Sequence, residues 1–223
     1  MSDEPASVIE TSVTGTTAMR YQDLSRLHSL SDGVFAIVIT LLIFDIKVPL
    51  PTNGDLFSEQ QLAQALIALA PKFLSYMATF IVIGVYWTGY QAVLRHVLYY
   101  DRAFLWINIV FLMCVCIMPF PTSLLGSYWR LKVAVAAYGL SLIATGGSLA
   151  LLWRYASHNH RLVPKSLDRK VIELGHQRIL MAPLAGMLSI LVSPVSVKLS
   201  LWIYVLAGAA YFFPSRIDRK LSE

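Results

Sequence analysis

The sequence predicts an all-α, polytopic membrane fold with six transmembrane helices, and three observations carry that expectation. Of the 223 residues, 57% are hydrophobic and only 14% charged, against roughly 45–50% and 25% in ordinary soluble domains. The apolar residues gather in runs that approach the length of a bilayer span, with a mean hydropathy of +0.62. At roughly 20 residues per span, six spans use about 120 residues and leave about 100 for loops and tails. The third observation is that proline, glycine and basic residues punctuate the runs. This composition excludes the disordered, collagen-like and disulfide-stapled classes. Cys114 and Cys116 stand two apart in an apolar run, facing different sides of a helix, and read as small core residues.

Residues 1–19 are rich in Ser and Thr, carry Asp3, Glu4 and Glu10, and lack the apolar core of a cleavable signal peptide, so a mobile polar tail is expected there. The membrane domain is expected over 20–215, with a short cytoplasmic tail at 216–223. The first span runs from Ser29 to Ile46, with Ser31, Asp32, Thr40 and Asp45 as its polar members. Pro49, Pro51, Asn53 and Gly54 mark the following loop. The second span covers Pro71–Leu94, and Gln60–Ala70 either extends it or forms an interfacial piece. The third covers Ala103–Met118 and ends at Pro119 and Pro121. The fourth covers Val133–Trp153. A polar, basic linker, Arg154–Arg178, leads to the fifth span, Ile179–Ser193, with Pro183 inside it. The sixth covers Leu199–Phe213 and stops before Pro214.

Thirteen of the 18 Lys and Arg residues fall in the tail, the 95–102 turn, the 154–178 linker and the C-terminus, and five fall on the other side. The positive-inside rule then places both termini in the cytoplasm. Trp87, Trp129 and Trp202 lie near span ends, where interfacial aromatics belong. The scattered cations form no basic face with interleaved aromatics, so nucleic acid is not an expected partner.

The first span is the unusual one, because charge inside a bilayer is costly and tends to be functional or networked. At 100° per residue, Leu30, Gly33, Ile37, Thr40, Leu41 and Phe44 form one stripe. His28, Ser31, Asp32 and Phe35 fall on the opposite half. The polar group needs partners in protein, since lipid offers none. Arg26 lies about 120° from Asp32 around the helix, so a partner on another helix or subunit is expected. The stripe reads either as packing surface or as the lining of a narrow pore, where rings of apolar side chains gate by dewetting. Asp45 is expected at the interface, solvated or attracting cations at a pore mouth.

From Arg26 through Leu30-Ser31-Asp32 to Thr40-Leu41-Leu42-Ile43-Phe44-Asp45-Ile46, the chain resembles the Arg-x-x-x-Phe-Ser-Asp first-helix signature of the transmembrane protein 175 family of potassium channels, in its bacterial single-repeat form. Trp87, Asp101-Arg102 and Pro119-Phe120-Pro121-Thr122 extend the likeness. The resemblance implies a homotetramer in a bacterial inner membrane. Four first helices surround its axis and form a hydrophobic constriction in place of a re-entrant carbonyl filter. It implies that Ile37 is the constriction, with Leu41 and Phe44 further along, and that Ile37 and the Thr40 hydroxyl set selectivity. Arg26, Ser31 and Asp32 map to the motif that ties the pore helix to its neighbours. The implied partners are potassium ions, the lipid bilayer and other copies of the chain, with no cofactor and no metal beyond transient potassium. Two departures stand out. Leu30 replaces the motif's Phe, and Thr88-Gly89-Tyr90-Gln91 follows Trp87 where many bacterial relatives have Asn-His-His, leaving the Tyr90 hydroxyl as the substitute contact.

Thr88-Gly89-Tyr90 resembles part of a carbonyl filter in letters alone, since such a filter needs a re-entrant loop. Gly146-Gly147 reads as a close helix contact. His158-Asn159-His160 lacks further ligands for a metal site. No phosphate-binding loop, dinucleotide fingerprint or nucleophile elbow is present, so no enzyme is expected. The rival reading is a secondary transporter or proton-coupled carrier using Asp32 and Asp45. A non-conducting scaffold is the third.

Overall fold

The computed structural model describes the backbone of residues 6–51 and 57–210, and the side chains of 24–51 and 57–208. The described residues form eight α-helices and two short 3-10 turns, with no strand among them. Four helical stretches, Leu24–Asp45, Glu59–His96, Arg102–Ser127 and Lys132–His160, are long and apolar enough to cross a membrane, and Val197–Gly208 is a shorter apolar helix. Asn53 and Gly54 of the expected loop, Phe213 and the 216–223 tail lie outside the described residues.

Helix α1 covers Ala6–Leu41 and tightens into a 3-10 turn at Leu42–Asp45. No proline occurs between Pro5 and Pro49, so nothing in the chain stops the helical backbone from reaching back into the stretch expected as a tail. Residues 1–5 of that stretch lie outside the described residues. Helix α2 (Glu59–Ala68) is a separate piece. Its start is a reciprocal cap in which the Gln61 amide donates to Ser58 Oγ at 3.3 Å and the Ser58 amide donates to Gln61 Oε1 at 3.0 Å. Helix α3 (Ala70–His96) begins again with Pro71 in its first turn, where no amide hydrogen is needed. The Thr88-Gly89-Tyr90 triplet lies within this continuous helix.

Helix α4 (Arg102–Ile117) is followed by α5 (Pro119–Ser127), a short helix where the sequence suggested only an end. Pro119 and Pro121 stop one helix and, sitting in the first turn of the next, start another. Helix α6 covers Lys132–Ser157 and α7 covers Arg169–Val192. Helix α7 starts well ahead of Ile179 because Asp168 caps it, its carboxylate accepting from the Lys170 amide at 3.0 Å. Helix α8 covers Val197–Ala210.

Helix α6 is the hub, packed on α4, α5 and α7, while α1 lies across α3 and α4. The α6–α7 approach is the tightest. A Cβ added to Gly146 would sit 2.3 Å from Cγ of Pro183, and one added to Gly186 would sit 2.8 Å from the Gly139 carbonyl oxygen. Gly147 faces open space, so only the first glycine of the pair makes the expected close contact. Gly146→Ala should therefore overpack the α6–α7 seam by about 1–3 kcal/mol and lower the melting midpoint in detergent, with Gly147→Ala unchanged. Equal midpoints for the two variants would contradict the seam.

Several buried hydroxyls find partners across helices, which lipid could not offer, while the buried Thr145 hydroxyl has none. Thr122 Oγ1 donates to Thr79 Oγ1 at 3.0 Å, Thr79 also meets the Tyr138 hydroxyl at 3.0 Å, and the Tyr86 hydroxyl donates to the Leu142 carbonyl at 2.9 Å. The cysteines are not core residues: Cys114 is half-buried and Cys116 exposed, both as free thiols. Cys114 lies on a flank of α4 beside the packed face, and Cys116 on a face that α4 turns away from the protein interior.

Candidate functional site on the first helix

Helix α1 presents two faces to two environments. Leu27, Ser31, Phe35, Val38 and Leu42 are buried against the rest of the chain. Leu30, Gly33, Ile37, Thr40, Leu41 and Phe44 are all exposed, with Ile37 at 59% and Phe44 at 72%. The stripe expected from the wheel holds through Leu41, while on the opposite half Ser31 and Phe35 are buried, His28 is half-buried and Asp32 is exposed. Beyond Leu41 the 3-10 turn changes the angle per residue, and Phe44 still faces outward. Thr40 Oγ1 donates to the Ile37 carbonyl at 2.8 Å. That bond uses the hydroxyl's single hydrogen and leaves its oxygen lone pairs as acceptors beside Ile37.

The opposite face anchors the helix to α3. Ser31 is fully buried, donates back to the Leu27 carbonyl at 2.9 Å, and lies 2.7 Å from the Tyr90 hydroxyl. Tyr90 therefore supplies the contact that the missing histidines cannot. Asp32 Oδ1 accepts from Trp87 Nε1 at 2.9 Å and from Gln91 Nε2 at 2.7 Å. Trp87 and Gln91 stand four apart on α3, hence on one face. Trp87 thus donates its indole N–H to Asp32 while its ring stays exposed, so it is not simply an interfacial anchor. The sequence did not single out Gln91, whose bond to Asp32 joins residues 59 apart.

Below this polar layer, Phe35 lies 6.1 Å from the Tyr90 ring and 6.0 Å from Phe111 of α4, and Tyr90 stacks on Phe111 at 5.3 Å. These separations are favourable for aromatic pairs. They clamp α1 between α3 and α4. At the other end, the Ser123 hydroxyl donates to Asp45 Oδ1 at 2.5 Å, so Asp45 ties the 3-10 turn to α5. Arg26 is exposed and forms no ion pair among the described residues. It is the one motif residue the structure does not join to the others.

A second anchor lies at the start of α4. Asp101 accepts from the Phe104 amide at 2.8 Å and the Tyr155 hydroxyl at 2.6 Å, and pairs with Arg161 at 3.2 Å. Desolvation pushes the carboxyl up, but the Tyr155 and Phe104 hydrogen bonds and the Arg161 charge outweigh it and hold the pKa below its ordinary 3.8. The sign follows directly. A depressed folded value means the contribution is complete above pH 3.8 and is lost as pH falls through the lower folded value. Asp101→Asn should melt below wild type at neutral pH, with the gap closing in acid. A gap independent of pH would overturn this.

These features define a polytopic helical membrane protein whose first helix is clamped on one side by polar and aromatic contacts and unpartnered on the other. The family model described as "Endosomal/lysosomal potassium channel TMEM175" matches residues 26–119. A potassium channel of Streptomyces collinus is 34% identical over 193 residues, covering 84% of this chain and 91% of the relative. A potassium channel of Chamaesiphon minutus is 31% identical over 85% of this chain and 94% of the relative. The crystal structure of a lysosomal potassium-selective channel TMEM175 homolog from Chamaesiphon minutus matches with a TM-score of 0.73 at 30% identity, over 83% of this chain and 95% of that one. The chain belongs to the TMEM175 family.

Proposed function

We propose that the chain is a potassium-favouring cation channel, with four copies arranged so that the exposed stripe of α1 lines a shared axial pore. The observation that carries this reading is the stripe itself. Six residues at helical spacing, five of them not charged or amide-bearing side chains and the sixth a glycine, stay outside the packed interior while the other face of α1 is fastened by Tyr90, Trp87 and Gln91. A helix fastened on one face only is suited to present the other to its symmetry mates. Relatives named potassium channels, similar over most of their length, support the choice of ion.

In this reading Ile37 forms the principal constriction, Leu41 and Phe44 continue it, and Ile37 with the Thr40 oxygen sets selectivity. Apolar rings offer no ligands to replace a hydration shell, so ions cross partly hydrated and discrimination comes from width and nearby hydroxyl oxygens. Ser31 and Asp32 hold the helix through their bonds to α3. The six-span topology has both termini in the cytoplasm of a bacterial inner membrane, as the distribution of Lys and Arg supports. A carrier built on Asp32 and Asp45 is less well supported, because each carboxylate accepts hydrogen bonds from a neighbouring helix.

Single-channel recording from purified protein in asymmetric potassium and sodium tests the reading. Unitary currents reversing toward the potassium potential are expected. Saturable, coupled flux without unitary steps, abolished by Asp32→Asn, would establish the carrier instead.

A further inference from the structure

Helix α3 meets α7 and α8 loosely, and a cavity of about 560 Å³ opens between α3, α6, α7 and α8. Its wall along α3 runs from Pro71 to Val85, about 21 Å at 1.5 Å per residue. That exceeds the depth of one leaflet, about half of a 30 Å hydrocarbon core. The wall is almost wholly apolar, and Leu74 and Met77 on its rim are exposed, so the cavity is open to the side. None of its lining residues belongs to α1. In a bilayer such a groove does not stay empty, because its walls would forfeit their dispersion contacts.

The Pro71 end differs from the rest. Trp129 lines it, the Arg130 guanidinium lies 4.7 Å from the Trp129 ring centre, and Lys72 packs at Gly126 beside it. No acidic residue lines the cavity. Lys72 and Arg130 do not line the cavity but directly follow Pro71 and Trp129, which do, so cations beside the end of an apolar slot match the charge order of an anionic phospholipid, with its phosphate outward and its acyl chain inward.

We propose that this groove is a binding site for one anionic phospholipid per chain, its acyl chain lying along α3 and its headgroup phosphate held by Lys72 and Arg130. The proposal is independent of the pore assigned to α1. The site couples α3, which carries the Trp87, Tyr90 and Gln91 anchors, to α8. An occupied groove therefore stiffens the support of the first helix.

The test is native mass spectrometry of the purified, delipidated protein after addition of dioleoyl phosphatidylglycerol or dioleoyl phosphatidylcholine. Wild type should retain one phosphatidylglycerol per chain and bind phosphatidylcholine several-fold less well. Ala78→Trp, which fills the groove, should lose both lipids, while Leu140→Trp, on an exposed part of α6 outside the groove, should bind as wild type. Lys72→Gln with Arg130→Gln should keep lipid but lose the preference between headgroups. This second variant keeps the test decisive should Ala78→Trp fail to fold. Undiminished lipid in Ala78→Trp, an unchanged headgroup preference in the double variant, or disulfide crosslinking of Met77→Cys between chains would overturn the proposal, the last by making a second copy the occupant.

Discussion

Replacing Ile37 with Asn is expected to enlarge the current through reconstituted bilayers roughly tenfold and to move the reversal potential toward zero in asymmetric potassium and sodium, tenfold in rate being about 1.4 kcal/mol of barrier. The reasoning starts from exposure. Ile37 is 59% exposed and contributes little to the packing of its own subunit, so Ile37→Asn should fold and assemble like wild type. What changes is the proposed constriction, where an amide offers ligands and wets a ring that isoleucine keeps dry. A wetter ring admits sodium more readily, so permeation rises while discrimination falls. Thr40→Ala should act on discrimination more than on conductance, since it removes the oxygen and leaves the Ile37 ring. Wild-type currents from Ile37→Asn would place the constriction elsewhere.

Asp32→Ala is expected to fail at an earlier stage, in assembly. The substitution removes the acceptor shared by the Trp87 indole and the Gln91 amide, and with it both side-chain bonds by which Asp32 ties α1 to α3. Hydrogen bonds to a charged group contribute about 1.5–3 kcal/mol each, and the exposure of Asp32 puts this pair at or below the low end of that range, still an appreciable part of the roughly 5–15 kcal/mol that holds a typical domain folded. The peak of the proposed tetramer on size-exclusion chromatography should fall and the melting midpoint should drop, with Asp32→Asn recovering part of both because its amide oxygen still accepts. Tyr90→Phe should act in the same direction with a smaller effect, since Ser31 keeps its bond to the Leu27 carbonyl. A wild-type tetramer yield from Asp32→Ala would remove Asp32 from the structural role assigned to it.

The division of α1 into two faces was legible before any coordinates, because helical periodicity depends only on spacing. The direction of each face was not. The same stripe from Leu30 to Phe44 would serve equally well as buried core, and only the packing of Phe35 against Tyr90 and Phe111 shows which side is inward. Tyr90 was recognisable as a replacement hydroxyl from its place after Trp87, yet the pairing of Gln91 with Asp32 joins residues 59 apart in sequence, and no local pattern encodes that.

Helix ends divide in the same way. Asp101 as a cap could be read from an acidic residue before an apolar run. The short helix after Pro119 was hidden because proline is compatible with both the end of one helix and the first turn of the next. The cysteines at 114 and 116 were misplaced because an apolar environment in a bilayer includes lipid as well as core, and composition does not distinguish them.

The sequence by itself determined that the chain is helical and membrane-embedded, that its first helix is two-sided, and which family signature it carries. All of these follow from composition, periodicity and local motif. Only the tertiary structure decided which face of α1 is held, by which side chains of α3 and α4, and where a lateral groove opens beside α3. Those depend on contacts between distant segments, whose geometry is set by the simultaneous packing of all the helices.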